Sequence, residues 1–329
     1  MQPNGADENA PWRVPTTPNS LQPSLMKVER RTFLQSSLTL AALPLIGFHP
    51  EAAAADTAAS ENRFKISLNA YSFNAPLLSG KTTLSEVLDF CAAQGFDAVD
   101  LTGYYFPGYP ATPADDYVYQ LKRKARRLGL GISGTGIRNE LGQADATARA
   151  GEIALIKRWI EVAAKLSAPV LRIYTGKAQP DKATWTATAD RMIEDIKTCV
   201  AYGKEHGVIV AIQNHNDFIK TADQAIDFMK RINDEWFGLV LDTGNFVTNE
   251  AYAEIAKASP YAVNWQVKEK IDYPGKSENM DLLKLFRIIK SSPYRGYLPI
   301  ETLSPGDPFA IIPPFLKQVK DAMARVMKS

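Results

Sequence analysis

The chain has 329 residues and a formal net charge of +2, with 45% hydrophobic and 22% charged residues, which is an ordinary globular composition. The near-neutral charge argues against an electrostatic nucleic-acid-binding protein. Two cysteines exclude a scaffold built on disulfides, and three histidines limit any metal site. A zinc centre made of histidine alone, or of histidine and cysteine, is not expected.

The first sixty residues have the features of an export signal. Arg30 and Arg31 precede an uncharged apolar run over residues 36–48, and small residues follow up to Ala55. A charged start, an apolar centre and a small-residue cleavage site are typical of a secretory signal peptide, and the arginine pair is typical of the twin-arginine route. The sequence therefore predicts a leader and short linker over residues 1–60.

This leader predicts contact with the twin-arginine export machinery and a periplasmic or other extracytoplasmic location. A short membrane anchor is the alternative. The apolar run is shorter than the ~20 residues that a spanning helix needs, and Pro44 and Gly47 interrupt it.

From residue 64 onward, short apolar runs alternate with amphipathic stretches. Runs rich in valine, isoleucine and leucine are typical of buried parallel strands, and they span residues 64–71, 97–103, 129–136, 169–176, 208–215, 238–245, 262–269 and 296–302. Helical patterns span residues 82–94, 114–128, 147–166, 186–206, 221–232, 249–258, 279–291 and 308–327. Such an alternation predicts one α/β domain over residues 61–329, a (β/α)₈ TIM barrel. A doubly wound sheet is the alternative, but the first strand lacks a glycine-rich phosphate loop.

Polar side chains mark the C-terminal ends of the later strands, where the active sites of such barrels lie. Gln213, Asp242, Gln266 and Glu301 place oxygen-bearing side chains at one level of four successive strands. Oxygen ligands that converge on one point favour a hard divalent ion, Mn²⁺ or Mg²⁺, over zinc. The alternative for each residue is an ordinary hydrogen bond in the crowded barrel mouth. Because buried charge without a partner is costly, the sequence predicts a metal site at these four residues.

Two further residues lie nearer the predicted mouth. His215 follows Gln213 by two positions and is placed to move protons near pH 7, with a structural histidine as the alternative. Lys268 follows Gln266 by two positions and is a candidate to stabilise an enolate or bind an anion, with pairing to Glu269 as the alternative.

Other candidates come from the remaining strand ends and loops. Glu140, on the loop after the third strand, is a reserve acid or base. An ion pair between Arg172 and Asp100 is the alternative to a role in substrate binding for that arginine. The predicted substrate-binding residues are Asn69, Tyr71, Tyr104, Arg172, Tyr174 and Asn245.

Four segments at strand ends carry a resemblance to a known family: QNHND, LDTGNF, NWQVKE and LPIET. Over about residues 64–327 the chain resembles the sugar phosphate isomerase/epimerase family, the xylose isomerase-like barrels. In the common family pattern these strands carry Glu, Asp, His and Glu as ligands of one divalent metal. Asp242 and Glu301 match that pattern, whereas Gln213 replaces the usual Glu and Gln266 replaces the usual His.

The resemblance implies a metal-dependent carbohydrate isomerase or epimerase. Such an enzyme removes the proton next to a sugar carbonyl while the metal stabilises the enediolate, and Glu301 would serve as both ligand and catalytic residue. Gln213 cannot act as a base, so one half of the usual two-base pair is missing. The expected partner is a small sugar or keto-sugar rather than nucleic acid, and the sequence leaves the oligomeric state open.

Two alternatives follow from the missing glutamate. One base with a Lewis acid also suits a 3-keto-glycoside lyase or hydratase, which is the chemistry implied by the branch with QNH, WQxKE and LPIET motifs. The second alternative is a sugar-binding barrel that has lost catalysis.

Overall fold

A computed structural model describes residues 64–178, 180–181 and 183–328. The predicted leader over residues 1–60 lies outside these residues. Within the described part of the chain, no helix combines the length and apolar character needed to cross a membrane.

Eight parallel strands close into a barrel, which confirms the predicted fold. The barrel strands are β1 (Lys65–Asn69), β2 (Ala98–Asp100), β3 (Gly131–Gly136), β4 (Val170–Ile173), β5 (Ile209–Gln213), β6 (Phe237–Asp242), β7 (Ala262–Lys268) and β10 (Tyr297–Glu301). They hydrogen-bond in the order β1-β10-β7-β6-β5-β4-β3-β2, and β1 closes the ring against β2. Two short strands, β8 (Lys270–Tyr273) and β9 (Lys276–Asn279), lie between β7 and β10 in the chain.

Helices surround the barrel and bury their apolar faces against it. All eight predicted helices are present, with shifted ends, and a short α1 was not predicted. The helices are α1 (Asn74–Leu78), α2 (Leu84–Ala93), α3 (Asp115–Arg127), α4 (Ala146–Leu166), α5 (Trp185–Glu205), α6 (Ala222–Ile232), α7 (Ala251–Ala258), α8 (Leu282–Ser291) and α9 (Pro308–Lys328).

The predicted start of a helix at residue 279 is wrong. Residues 270–279 form an antiparallel hairpin in which Lys270 pairs with Asn279. Gly275 has a φ of 77°, a left-handed conformation that glycine adopts without steric cost, so the chain turns there. Asp281 then caps α8, because its carboxylate accepts the backbone N–H of Lys284 at 2.9 Å.

The barrel interior is partly polar below the mouth. The Ser67 and Ser133 hydroxyls hydrogen-bond at 2.6 Å, and Asn264 Nδ2 donates to the carbonyl of Ser133 at 3.2 Å. Val170, Ala211 and Val240 form a small buried apolar layer on the barrel strands. The barrel is therefore a packed core, and the open space lies beyond the C-terminal strand ends.

Candidate active site

The four predicted ligands do meet at the barrel mouth. Each is buried, with exposed fractions of 2% for Gln213, 0% for Asp242, 5% for Gln266 and 2% for Glu301. Gln213 Nε2 donates to Asp242 Oδ2 at 2.6 Å and to Gln266 Oε1 at 3.3 Å. Gln266 Nε2 donates to Glu301 Oε2 at 2.6 Å. The strand ends therefore bring these side chains into one hydrogen-bonded group, whether or not it holds a metal.

A lysine joins this group from β7. The Lys268 ammonium contacts the Glu301 carboxylate directly and lies 3.4 Å from Asp242 Oδ2. The alternative in which Lys268 pairs with Glu269 is wrong. The Glu269 carboxylate instead accepts two backbone N–H groups of the loop after β10.

Arg172 lies deeper in the barrel and is 4% exposed. Its Nη1 donates to Gln213 Oε1 at 3.1 Å, and its guanidinium lies 4.6 Å from the centre of the Tyr174 ring. Within the described part of the chain, Asp100 Oδ1 and Arg172 Nε have no hydrogen-bond partner, so the ion pair considered for these two side chains has no hydrogen bond through these atoms. Burial raises the pKa of Asp100 to about 6, and the positive charge of Arg172 opposes that rise.

As arranged, the four residues do not fit a divalent ion. A metal needs oxygen lone pairs directed at one point, but here the two amides direct N–H groups at the two carboxylates. The space between those carboxylates is taken by the Lys268 ammonium. Within the described residues, histidine, cysteine and acidic side chains form no group of three suited to a metal. Metal binding at these residues stays a prediction.

A cavity of about 510 Å³ opens above this group. Its size is that of a small-molecule site. All six predicted substrate-binding residues line it, together with Glu140, His215, Lys268 and Glu301. Asn245 also donates from Nδ2 to Asp242 Oδ2 at 2.9 Å, and Asn69 Oδ1 accepts the backbone N–H of Tyr71. The cavity walls are therefore largely the predicted residues.

His215 lies on the rim of the cavity beside an acidic residue that sequence reasoning missed. Its Nδ1 is 2.8 Å from Asp217 Oδ2, and its ring packs edge-on to Tyr174 at 4.7 Å between centroids. Because an ionised carboxylate only accepts hydrogen bonds, Nδ1 carries a proton, and in the neutral ring Nε2 is then the acceptor. The signal was present in QNHND, where the aspartate follows the histidine by two positions.

Glu140 is positioned by backbone groups. Its carboxylate accepts the N–H of Lys177 at 2.9 and 2.8 Å and that of Gly142 at 3.1 Å. These contacts join the loop after β3 to the loop after β4. The geometry gives Glu140 a bracing contact at the cavity rim, and its reserve role as an acid or base stays a prediction.

Several further cavity residues, among them Arg138, Glu152 and Leu303, were not among the predicted site residues. Arg138 stacks its guanidinium 4.2 Å from the centre of the Tyr104 ring, and Glu152 accepts the backbone N–H of Glu140 at 3.2 Å. Leu303 follows β10 and is 55% exposed. Arg138 and Leu303 come from loops, where no strand periodicity indicates which way a side chain points, whereas Glu152 lies on α4.

A larger cavity of about 1250 Å³ lies at the other end of the barrel. It is lined by α3 and by residues that start strands, such as Gly131 and Tyr297. Among the residues that the structure describes, no histidine or carboxylate lines it. The chemistry-bearing residues therefore favour the smaller cavity at the C-terminal strand ends.

Solved structures share this fold. D-psicose 3-epimerase, solved in the presence of D-fructose, is 18% identical over 79% of this chain and 97% of its own, with a TM-score of 0.63. The 3-keto-D-glucoside 4-epimerase YcjR from E. coli is 13% identical over 81% of this chain and 99% of its own, with a TM-score of 0.60. A xylose isomerase-like TIM barrel protein from Mycobacterium smegmatis, solved in complex with magnesium, is 19% identical over 80% of this chain and 97% of its own, with a TM-score of 0.58.

No curated protein sequence matches the chain. The family description "xylose isomerase-like TIM barrel" matches residues 88–328, which is most of the chain and runs from the middle of α2 to the end of α9. With its closed barrel and its cavity at the C-terminal strand ends, the chain belongs to the xylose isomerase-like TIM barrel family.

Proposed function

We propose that the protein is a carbohydrate enzyme that moves a proton at a carbon next to a sugar carbonyl. One observation carries the proposal: a histidine–aspartate pair and a buried ammonium open into the same cavity of about 510 Å³. Proton removal beside a carbonyl needs both a base and a positive group near the oxygen that gains charge. The epimerases that share the fold act on sugars by their printed names, which supports this substrate class.

The residues divide the work as follows. Nε2 of His215 accepts the proton from carbon while Asp217 holds the ring through Nδ1. The electron pair of the broken C–H bond forms a C=C bond, and the carbonyl oxygen takes the negative charge. Lys268 and Arg172 supply N–H donors on the cavity wall for that oxygen and for sugar hydroxyls. Return of the proton to the opposite face of the same carbon gives the epimer. Return to the former carbonyl carbon gives the isomer, because the hydroxyl proton of the first carbon passes to the charged oxygen and a new C=O bond forms there. Neither outcome needs another reactant.

The tyrosines of the cavity suit a sugar. Tyr71, Tyr104 and Tyr174 line the wall, and Tyr104 packs edge-on to Tyr71 at 6.2 Å between centroids. Aromatic faces pack against the C–H faces of a sugar ring, and hydroxyl tips donate or accept hydrogen bonds. A small neutral sugar or keto-sugar is therefore the proposed ligand.

A second candidate is a 3-keto-glycoside lyase or hydratase. The observation that favours it is that Gln213, which replaces the family's usual glutamate, is an amide and cannot act as a second base. Its side chain is hydrogen-bonded to Arg172 and Asp242. The first step is the same proton removal, after which the substituent at the neighbouring carbon leaves or water adds. The export signal proposed for residues 1–60 would place either reaction outside the cytoplasm.

Solvent deuterium exchange tests the proposal. The purified protein is incubated in D₂O with 3-keto-glucoside and, separately, with D-fructose, and deuterium at the carbon beside the carbonyl is followed by NMR. We expect exchange in the wild type and a loss of about 100-fold or more in His215→Asn, because a general base contributes that much. His206→Asn is the matched control, since His206 caps α5 at the opposite end of the barrel.

Products then separate the candidates. An epimer or isomer supports the first, and loss of the glycosidic substituent supports the second. Saturable sugar binding without any exchange in the wild type would refute an enzyme and leave the sugar-binding barrel.

A further inference from the structure

The position between the two buried carboxylates is filled by the protein itself. Asp242 and Glu301 are 0% and 2% exposed, and Lys268, which lies against both, is 8% exposed. Two buried carboxylates side by side need a positive partner, because each loses favourable hydration on burial. The ammonium of Lys268 supplies that charge from within the chain.

Hydrogen bonding fixes the direction of the two amides. Arg172 can only donate, so the atom of Gln213 that faces it must be the oxygen. The Gln213 amide nitrogen then faces Asp242 and the oxygen of Gln266. Gln266 in turn presents its nitrogen to Glu301. Because Arg172 fixes the orientation of Gln213, and Gln213 fixes that of Gln266, both amides donate N–H groups to the carboxylates.

The carboxylate oxygens are consequently well supplied with donors. Asp242 Oδ2 accepts from Gln213 Nε2 at 2.6 Å and from Asn245 Nδ2 at 2.9 Å, while Asp242 Oδ1 accepts the backbone N–H of Gly244 at 2.9 Å. A divalent ion bound here would have to displace the ammonium and would meet amide N–H groups, which repel it. Asp242, Glu301 and Lys268 together carry a formal charge of −1, and the amides add none.

We propose that Lys268 is the resident cation of this site and that the wild-type protein works without a divalent metal there. An ammonium has three N–H donors; one donates to Glu301, and Asp242 Oδ2 lies 3.4 Å away as a second ion-pair partner. A remaining N–H is available to the cavity that Lys268 lines, where it stabilises the charge that develops on the substrate oxygen. The identity of that oxygen rests on the proposed function, whereas the claim about the metal does not.

Binding of Mn²⁺ tests the claim about the metal directly. The full chain is freed of metals with EDTA, dialysed and titrated with Mn²⁺, and the free ion is followed by electron paramagnetic resonance. We expect no stoichiometric binding to the wild type. About one Mn²⁺ per chain, lost in Asp242→Asn, would overturn the proposal, since a ligand carboxylate is what divalent ions require.

Deuterium exchange tests the role of the ammonium. In the EDTA-treated protein, Lys268→Ala should lower exchange by about 100-fold or more, because it removes the donor to the oxyanion. Lys270→Ala is the control, since Lys270 is exposed in β8 and does not line the same cavity. Exchange by Lys268→Ala at the wild-type rate would overturn the proposal.

Two measurements keep the outcomes distinct. Near-UV circular dichroism reports whether Lys268→Ala keeps native packing, and Lys268→Met, which retains the length of the side chain, replaces it if packing is lost. If the wild type exchanges no deuterium, the proposed function fails, and the Mn²⁺ titration still decides whether a metal binds at the site.

Discussion

At the scale of single residues, one buried carboxyl sets a pH dependence. Asp100 is 5% exposed, and its Oδ1 has no hydrogen-bond partner. Burial raises the pKa of Asp100 to about 6, above the value near 3.9 of an unfolded chain. The folded protein therefore binds a proton that the unfolded chain has already released between these two pH values.

We predict that Asp100→Asn stabilises the protein above about pH 6. The contribution of Asp100 is fully present below about pH 4 and is lost as pH rises through its folded pKa, by about 2–3 kcal/mol in all. The neutral amide has no such loss. Urea unfolding from pH 4 to pH 8 measures the difference, and an unchanged slope of stability against pH in Asp100→Asn would contradict it.

Single residues also decide what the site can do. Asp242 and Glu301 were predicted as ligands, and the structure places them beside Lys268, which the sequence offered as an enolate or anion contact or as a partner of Glu269. Periodicity along β7 shows that residues 264, 266 and 268 share a face, but it does not show how far a long side chain bends back. The sequence therefore predicted which residues meet and not which of them holds the central position.

At the scale of elements, the helices and strands were predicted well, because the signals that mark them are local in the sequence. The capping box of α2 is an example: Thr83 accepts the N–H of Glu86, and the Glu86 carboxylate accepts the N–H of Thr83 at 2.8 Å. The hairpin after β7 was missed. Its strands are short, and β9 is exposed throughout, so no apolar alternation marks it.

Loops at the mouth were the least predictable elements. Glu140 links two of them, because its carboxylate accepts the backbone N–H of Gly142 in its own loop and that of Lys177, which is 37 residues further along the chain. No local pattern indicates such a contact. The contact between the two loops and the predicted acid–base role lead to different expectations for the variant Glu140→Gln.

We predict that Glu140→Gln keeps deuterium exchange in saturated enzyme within a few-fold of wild type and raises KM. The amide has one acceptor oxygen in place of two, so it loses about one charge-assisted hydrogen bond, worth about 1.5–3 kcal/mol, and the rim loops loosen. Steady-state kinetics with a keto-sugar measure both constants. A fall in kcat of about 100-fold with unchanged KM would instead identify Glu140 as an acid or base.

At the scale of the whole molecule, the barrel depends on pairing between the two ends of the described chain. Ile66 of β1 lies beside Leu298 of β10, and both side chains are buried. These contacts close the ring, so the site on the strand ends exists only when the barrel is complete. Apolar residues on the outer faces of the strands pack under the helices and join the elements into one core.

We predict that Leu298→Ala lowers the free energy of unfolding by about 2–5 kcal/mol, because it leaves a cavity at a fully buried position. Far-UV and near-UV circular dichroism should lose their signals in one coincident thermal transition. Leu303→Ala, the same change at a side chain that is 55% exposed, should be close to wild type. Equal losses in the two variants would show that closure of the ring does not limit stability.

The sequence by itself determined the barrel fold and which residues lie at its mouth. Apolar runs, helix caps and polar strand ends are local signals, and parallel strands in a barrel leave little freedom in where their C-terminal ends point. Only the tertiary structure decided how the polar groups pair. Arg172 donates to Gln213, Gln213 donates to Gln266, and Gln266 donates to Glu301. Each of these hydrogen bonds joins two different strands. Hydrogen-bond direction across strands has no trace in a linear pattern, which is why the place of Lys268 between the carboxylates emerged only from the folded chain.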